Sequence, residues 1–119
     1  MEAESASEEQ SFYIAVILYE TSSTAPQYKP LYQECFVLIK ATSEEQANEK
    51  ALIHAMRQEG SYQNEYKETI TWSLKQVVDV NSVLYDEFED GTELYARHFR
   101  NYEAYRLWEP LLSDGEPEL

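Results

Sequence analysis

The chain has one cysteine, three glycines and two histidines in 119 residues, and no apolar run as long as a membrane helix requires. The lone thiol, Cys35, has no partner for an intramolecular disulfide. It lies in Glu34-Cys35-Phe36-Val37-Leu38, where a thiol behaves as a small hydrophobe, and no nucleophile signature surrounds it. Cys35, His54 and His98 do not make a zinc ligand set. Gly60, Gly91 and Gly115 are too few and too scattered for a phosphate-cradling loop, and no nucleophile elbow is present. Met1 to Ser11 has neither a basic residue nor an apolar stretch, which excludes a signal peptide of the usual kind and leaves a cytoplasmic location as the expectation. These scarcities assign no catalytic, cofactor-binding or metal-ligating residue, and no cofactor is expected.

Basic residues are also scarce: 9 Lys and Arg against 23 Asp and Glu, a net charge of -14. Much of the excess is terminal, in Glu2, Glu4, Glu8 and Glu9 and in Glu109, Asp114, Glu116 and Glu118. The intervening body remains acidic. Phosphate contacts need a basic patch, so direct nucleic-acid binding is disfavoured. Long-range steering favours a basic protein partner. The plainer account of the tails is that they only keep the protein soluble.

What the chain does have is enough apolar residue, 43%, and enough length to bury one core. Ten tyrosines supply rings with polar tips, suited to core rims and contact surfaces. The expected organisation is a disordered acidic leader over 1–11, a single α+β domain over 12–108 and an acidic tail over 109–119.

Phe12 to Tyr19 is an almost unbroken apolar run of strand length, the pattern of an interior strand covered on both faces. Thr21 to Pro30 reads as a loop, and Leu31 to Ala41 as a second strand pairing antiparallel with the first. Thr42 and Ser43 stand three residues before Glu45 and Gln46, which is capping-box spacing. A helix follows, with Ala47, Ala51, Leu52, Ala55 and Met56 at helical spacing and Gly60 as its stop. Ser61 to Lys67 is a polar connection. Glu68 to Val80 alternates as a half-buried strand, with Ile70, Trp72 and Leu74 on one side. A short helical turn is expected within Asn81–Asp90, a turn at Asp90-Gly91, and a last strand from Glu93 to Arg100. Tyr102, Tyr105, Trp108 and Leu112 then fall at helical spacing, a short helix to pack on the sheet or on a partner. The expected architecture is a four-stranded, mostly antiparallel sheet with one long helix on a face, in the order β-β-α-β-β, then a short C-terminal helix.

Asp86 to Gly91 invites a calcium reading, but an EF-hand loop starting at Asp86 would put Phe88 third and Arg97 twelfth, where oxygen ligands belong. That motif is rejected. Tyr62, Asn64 and Tyr66 share one loop in a combination that suits contact surfaces; the competing reading is that Tyr62 packs over the helix end and Asn64 closes a turn.

Ser61-Tyr62-Gln63-Asn64, Glu68-Thr69-Ile70-Thr71-Trp72 and Asp90-Gly91-Thr92-Glu93-Leu94-Tyr95-Ala96-Arg97, together with Leu31-Tyr32-Gln33-Glu34 and the alanine-rich helix, carry a likeness in order and spacing. Over roughly Phe12 to Arg100 the chain resembles a bacterial family, domain of unknown function 4288. Three positions depart from the family pattern. Lys67 stands where a glycine usually precedes the glutamate matching Glu68, Ala96 where a serine is frequent, and Phe12 where a tryptophan is frequent. Alanine at 96 speaks against a nucleophile there. The resemblance implies a small α+β bacterial domain and no particular activity.

Two functional expectations follow. The first is a non-catalytic interaction module, an adaptor or an inhibitor of the immunity type, binding a basic protein through aromatic anchors inside an acidic rim. The alternative is a small-ligand domain or enzyme with a carboxylate–tyrosine site built from Glu68, Glu93, Tyr62, Tyr95 and Arg97, which requires those side chains to converge. The candidate surface for either is Tyr62, Asn64, Tyr66, Glu68, Glu93, Tyr95, Arg97, Tyr102 and Trp108. Homodimerisation, through a strand edge or the Tyr102/Trp108 segment, is compatible with both.

Overall fold

The computed structural model describes residues 9–112. The leader and tail expected at 1–11 and 109–119 lie for the most part outside them, although Ser11 opens the first strand and Pro110–Leu112 form a 3-10 turn. Strand β1 (Ser11–Ser23) pairs antiparallel with β2 (Tyr32–Ala41) on one side and with β4 (Thr69–Ser82) on the other. The short strand β3 (Gly60–Gln63) pairs antiparallel with β4, giving the order β2-β1-β4-β3. Helix α1 (Glu44–Arg57) joins β2 to β3 across one face of the sheet.

This is the expected four-stranded α+β architecture in the expected β-β-α-β-β order, but one strand is not the one expected. Gly60–Gln63, read as the helix stop and the start of the connection over Ser61–Lys67, is paired, whereas Glu93 to Arg100 is not a strand. Of the residues that such a strand would place on one face, Glu93, Tyr95, Arg97 and Phe99, Tyr95 alone turns inward onto the sheet and the other three stay exposed. The helical turn expected within Asn81–Asp90 is also absent.

β1 is longer than its apolar run because Thr21 extends it. The Thr21 hydroxyl accepts from the Tyr28 hydroxyl at 2.6 Å and from the Leu31 N–H at 2.7 Å, folding the intervening loop back onto the strand end. Tyr13, Ile14, Ala15, Val16, Ile17 and Tyr19 are all buried, so β1 is covered on both faces as its composition demands.

On the helix face Tyr13, Ala15, Ile17 and Tyr19 meet Ile39, Ala41, Val80 and the three buried alanines of α1, Ala47, Ala51 and Ala55. Alanine at each contact lets the helix sit close to the sheet. Leu52 and Met56, expected in the same stripe, are about half exposed. Each follows a buried alanine and so points roughly 100° away from it.

β4 reaches this core through two register irregularities, between Val16/Ile17 and Leu18/Tyr19 of β1. Each inserts one unpaired residue, Val78 and then Lys75, so Val80, Val77 and Leu74 oppose Ala15, Ile17 and Tyr19 on one face despite their spacing of three.

Ser43 caps α1, its hydroxyl accepting from the Gln46 N–H at 3.0 Å, while the Gln46 side chain accepts from the Thr42 N–H at 2.7 Å. The helix ends at Gln58 in a right-handed conformation, and Gly60 already belongs to β3. Helix α2 (Tyr102–Trp108) carries no buried residue; it packs on the 3-10 turn that follows it and, through Tyr105, on Phe99, so of the two expected dockings, on the sheet or on a partner, that on the sheet does not occur.

The β3–β4 turn is organised by Asn64. Its side-chain oxygen accepts from the Tyr66 and Glu68 N–H groups at 2.9 and 3.0 Å, and its amide donates to the Glu68 carboxylate at 2.9 Å. Lys67, within this turn, has φ 63°, in the left-handed region that favours glycine. That is the position where the resembled family usually has glycine. Replacing Lys67→Gly is expected to stabilise the protein by about 0.5–1 kcal/mol, read as a rise in the urea midpoint. Asn64→Ala, which removes three side-chain hydrogen bonds from the turn, is expected to cost about 1–3 kcal/mol in the same measurement.

Candidate functional site

The second face of the sheet is apolar along β1 and β2 and polar along β4. Phe12, Ile14, Val16 and Leu18 of β1 share it with Lys40, Leu38, Phe36 and Glu34 of β2, and with Asn81, Asp79 and Gln76 of β4. No helix covers it. The chain beyond β4 does so in irregular conformation. The Val83 N–H donates to the Phe12 carbonyl at 2.8 Å, which turns the chain at the end of β4. Phe88 then packs on Phe12, ring centroids 4.9 Å apart. The Glu89 N–H donates to the Thr92 hydroxyl at 2.9 Å and the Thr92 N–H to the Glu89 carbonyl at 3.0 Å, closing the expected turn, with Gly91 at φ 92°. Tyr95 next lies against Phe36, ring centroids 5.8 Å apart, and its hydroxyl donates to the Asp79 carboxylate at 2.7 Å. Tyr95 thus bridges β2 and β4 over the buried Val16. Sequence patterning had flagged Tyr95 but not its partner Asp79, which is hidden among the polar positions of β4.

Between this segment and the strands runs an open groove of about 410 Å³, lined by Ile14, Phe36, Leu38, Phe88, Leu94 and Tyr95 with Glu89 and Thr92 at its rim. Phe36 is 61% exposed and Leu94 49%. Beside it, Tyr85, Glu87, Glu89, Asp90, Gly91, Thr92 and Glu93 form a shallow, acidic second hollow. Among the described residues, no three His, Cys, Asp or Glu side chains converge into a metal set.

At the far end of this face, Glu20 accepts from the Tyr32 hydroxyl at 3.0 Å and pairs with Lys75 at 3.3 Å, the bulge residue reaching across β1. An exposed pair of this kind contributes little to stability.

Two titrating groups on opposite faces of the sheet are perturbed, Tyr95 at the groove and Cys35 against the helix-side core. Burial, and then the hydrogen bond to Asp79, pushes the Tyr95 phenol up to about 12 from 10.0. Burial, with Glu34 nearby, raises the Cys35 thiol, the opposite of what a reactive thiolate needs.

The nine candidate residues do not form one surface. Tyr62, Asn64, Tyr66 and Glu68 belong to the β3–β4 hairpin, where Asn64 and Glu68 are bonded to each other and Tyr62 and Tyr66 are exposed. Glu93, Tyr95 and Arg97 belong to the segment crossing the second face. Tyr102 and Trp108 lie exposed on α2, where Tyr105 stacks on Phe99 with centroids 4.8 Å apart. Asp79, the partner of Tyr95, is opposite Val16, and Ile70, two residues beyond Glu68, is opposite Ser23. At ~3.3 Å per residue, the two groups are separated by roughly 20 Å along β1. Glu68 and Tyr62 therefore do not converge with Glu93, Tyr95 and Arg97, and the five-residue carboxylate–tyrosine site does not assemble. The groove residues Phe36, Leu38, Phe88 and Leu94 were missed. The one available signal was that β1 is apolar on both faces while the chain offers a single long amphipathic helix.

A family model matches residues 12–96, which takes in β1, the helix, the hairpin and the crossing segment through Tyr95. The chain belongs to the DUF4288 family. DUF4288 is described as a domain of unknown function, so membership carries a fold and no activity. The match ends one residue past Tyr95, which leaves α2 outside the DUF4288 region. No curated protein and no solved structure matches the chain. No helix among the described residues of this DUF4288 protein is long and apolar enough to cross a membrane.

A phenol with a raised pKa stabilises the fold while it is protonated. The contribution of Tyr95 is complete below pH 10 and is lost as the pH rises from 10 to about 12. Tyr95→Phe is expected to lower stability below pH 10 and to flatten its decline above that pH, as followed by urea unfolding at stepped pH.

Proposed function

We propose that this DUF4288 domain is a non-catalytic interaction module that holds a basic protein segment on the second face of its sheet. The observation that supports the reading is an open apolar groove with carboxylates on its flank. Phe36, Leu38 and Leu94 offer exposed apolar surface, and Glu87, Glu89, Asp90 and Glu93 stand along one side. Exposed apolar surface gathered inside a polar rim is the usual composition of a contact site. The acids would steer and orient a partner carrying Lys or Arg, and the apolar floor would supply the binding energy through one or two inserted side chains. The net charge of -14 adds long-range attraction for the same class of partner. The hairpin residues Tyr62 and Tyr66 lie away from this groove and are not needed by it.

Low-salt capture from a native lysate, run in parallel with the full chain and its Leu94→Asp variant, tests the reading. The expected outcome is a basic protein retained by the full chain, released by salt and lost from the variant by tenfold or more. Equal recovery on both, or salt-insensitive retention, would contradict it.

A further inference from the structure

β2 is an edge of the sheet, and no strand among the described residues lies against its outer side. The Thr21 N–H donates to the Leu31 carbonyl at 2.9 Å, so this pair is hydrogen-bonded. Continued along the β1–β2 register, the odd residues of β2 turn their backbone groups toward β1. Tyr32, Glu34, Phe36, Leu38 and Lys40 turn theirs outward. Consistent with that phase, the Lys40 carbonyl accepts from the Lys50 ammonium at 2.6 Å rather than from β1. This edge is ten residues long, contains no proline, is paired to β1 without a register shift, and has the uncharged centre Cys35-Phe36-Val37-Leu38-Ile39. An edge of that kind is a template for another strand.

We infer that the other strand is β2 of a second copy, paired antiparallel about a two-fold axis at Val37. The argument is charge complementarity within the strand itself. Even-to-even pairing is required for the outward groups to bond. With the axis at Val37, Glu34 of each copy falls opposite Lys40 of the other, and Phe36 opposite Leu38, each pair occurring twice. Moving the axis to Phe36 puts Glu34 opposite Leu38. Moving it to Leu38 puts Lys40 opposite Phe36. Either shift loses both ion pairs and sets a charge against an apolar side chain. Lys50 does not block the pairing, because a carbonyl oxygen has a second lone pair for the incoming N–H. The product is a continuous eight-stranded sheet in which the two grooves, each containing Phe36 and Leu38, adjoin across the axis. The pairing rests on the edge and not on the groove's proposed partner.

Sedimentation of the full chain tests it. A dimer of twice 13.9 kDa is expected. Glu34→Lys and Lys40→Glu, both at exposed positions, should each weaken the dimer about tenfold, because two attractive pairs become repulsive. The double variant Glu34→Lys/Lys40→Glu should restore it, a result that a loss of folding would not produce. Leu38→Pro removes an outward N–H that takes no part in the β1 ladder, and should give a folded monomer by circular dichroism. A monomeric full chain overturns the inference, as does a dimer indifferent to the single reversals or one that the double variant fails to restore. A monomer that still captures a basic protein through Leu94 would separate this failure from that of the groove.

Discussion

Burial of β1 on both faces is the constraint from which the rest of the structure follows. Val16 and Ile17 are adjacent, point to opposite sides of the sheet and are both fully buried. Each such side chain contributes about 1.5–3 kcal/mol when removed from water. A sheet with one covered face would forfeit half of that along Phe12 to Leu18. Two covers are therefore needed, and the described residues include one long helix. α1 serves the first face. The second is left to the residues after β4, which cross it in irregular conformation, held by the Phe12–Phe88 contact and the Tyr95–Asp79 hydrogen bond.

An irregular cover differs from a helix in what it leaves open. It follows the middle of the sheet, over Ile14 and Val16, and meets the outer strand through the Tyr95 ring on Phe36 without burying that strand. Phe36 and Leu38 are consequently in the floor of a groove and partly in water. The same geometry leaves the outer side of β2 without a neighbour. Groove and edge share these two side chains, so a single packing shortage accounts for both surfaces from which functional readings are argued. The acidic turn at Glu89–Thr92 lies at the groove rim because the crossing chain must reverse there.

Much of the fold was legible in the residues. The apolar run of β1, the capping spacing at Ser43 and Gln46, and the alternation of Ile70, Trp72 and Leu74 each specify an element locally, and each element is present. The misreadings occurred where local pattern and tertiary role part company. Glu93 to Arg100 has the spacing of a strand but is held on the sheet by Tyr95 alone, and no face of it is buried as a paired strand's would be. Gly60–Gln63 looked like connection because a four-residue exposed edge strand needs no apolar face. Leu52 and Met56 are apolar but turn away from the sheet, since alanines already occupy the close approach. Asn64 was legible as a turn residue, and Lys67 marks a left-handed position only once φ is known. The groove was not legible at all. It depends on Phe36 of β2, Phe88 and Tyr95 meeting across long separations, and on Asp79 ending up beneath Tyr95 only after two bulges have shifted the register.

The central claim is that the chain after β4 covers the second face of the sheet and does not extend its edge. Nuclear Overhauser contacts in the labelled protein test it most directly. The account predicts contacts between the Tyr95 and Phe36 rings and between the Phe88 and Phe12 rings. Backbone contacts linking Glu93–Arg100 in register to the outer side of β4 beyond Trp72, where β3 does not reach, would instead show a fifth strand, and would contradict it.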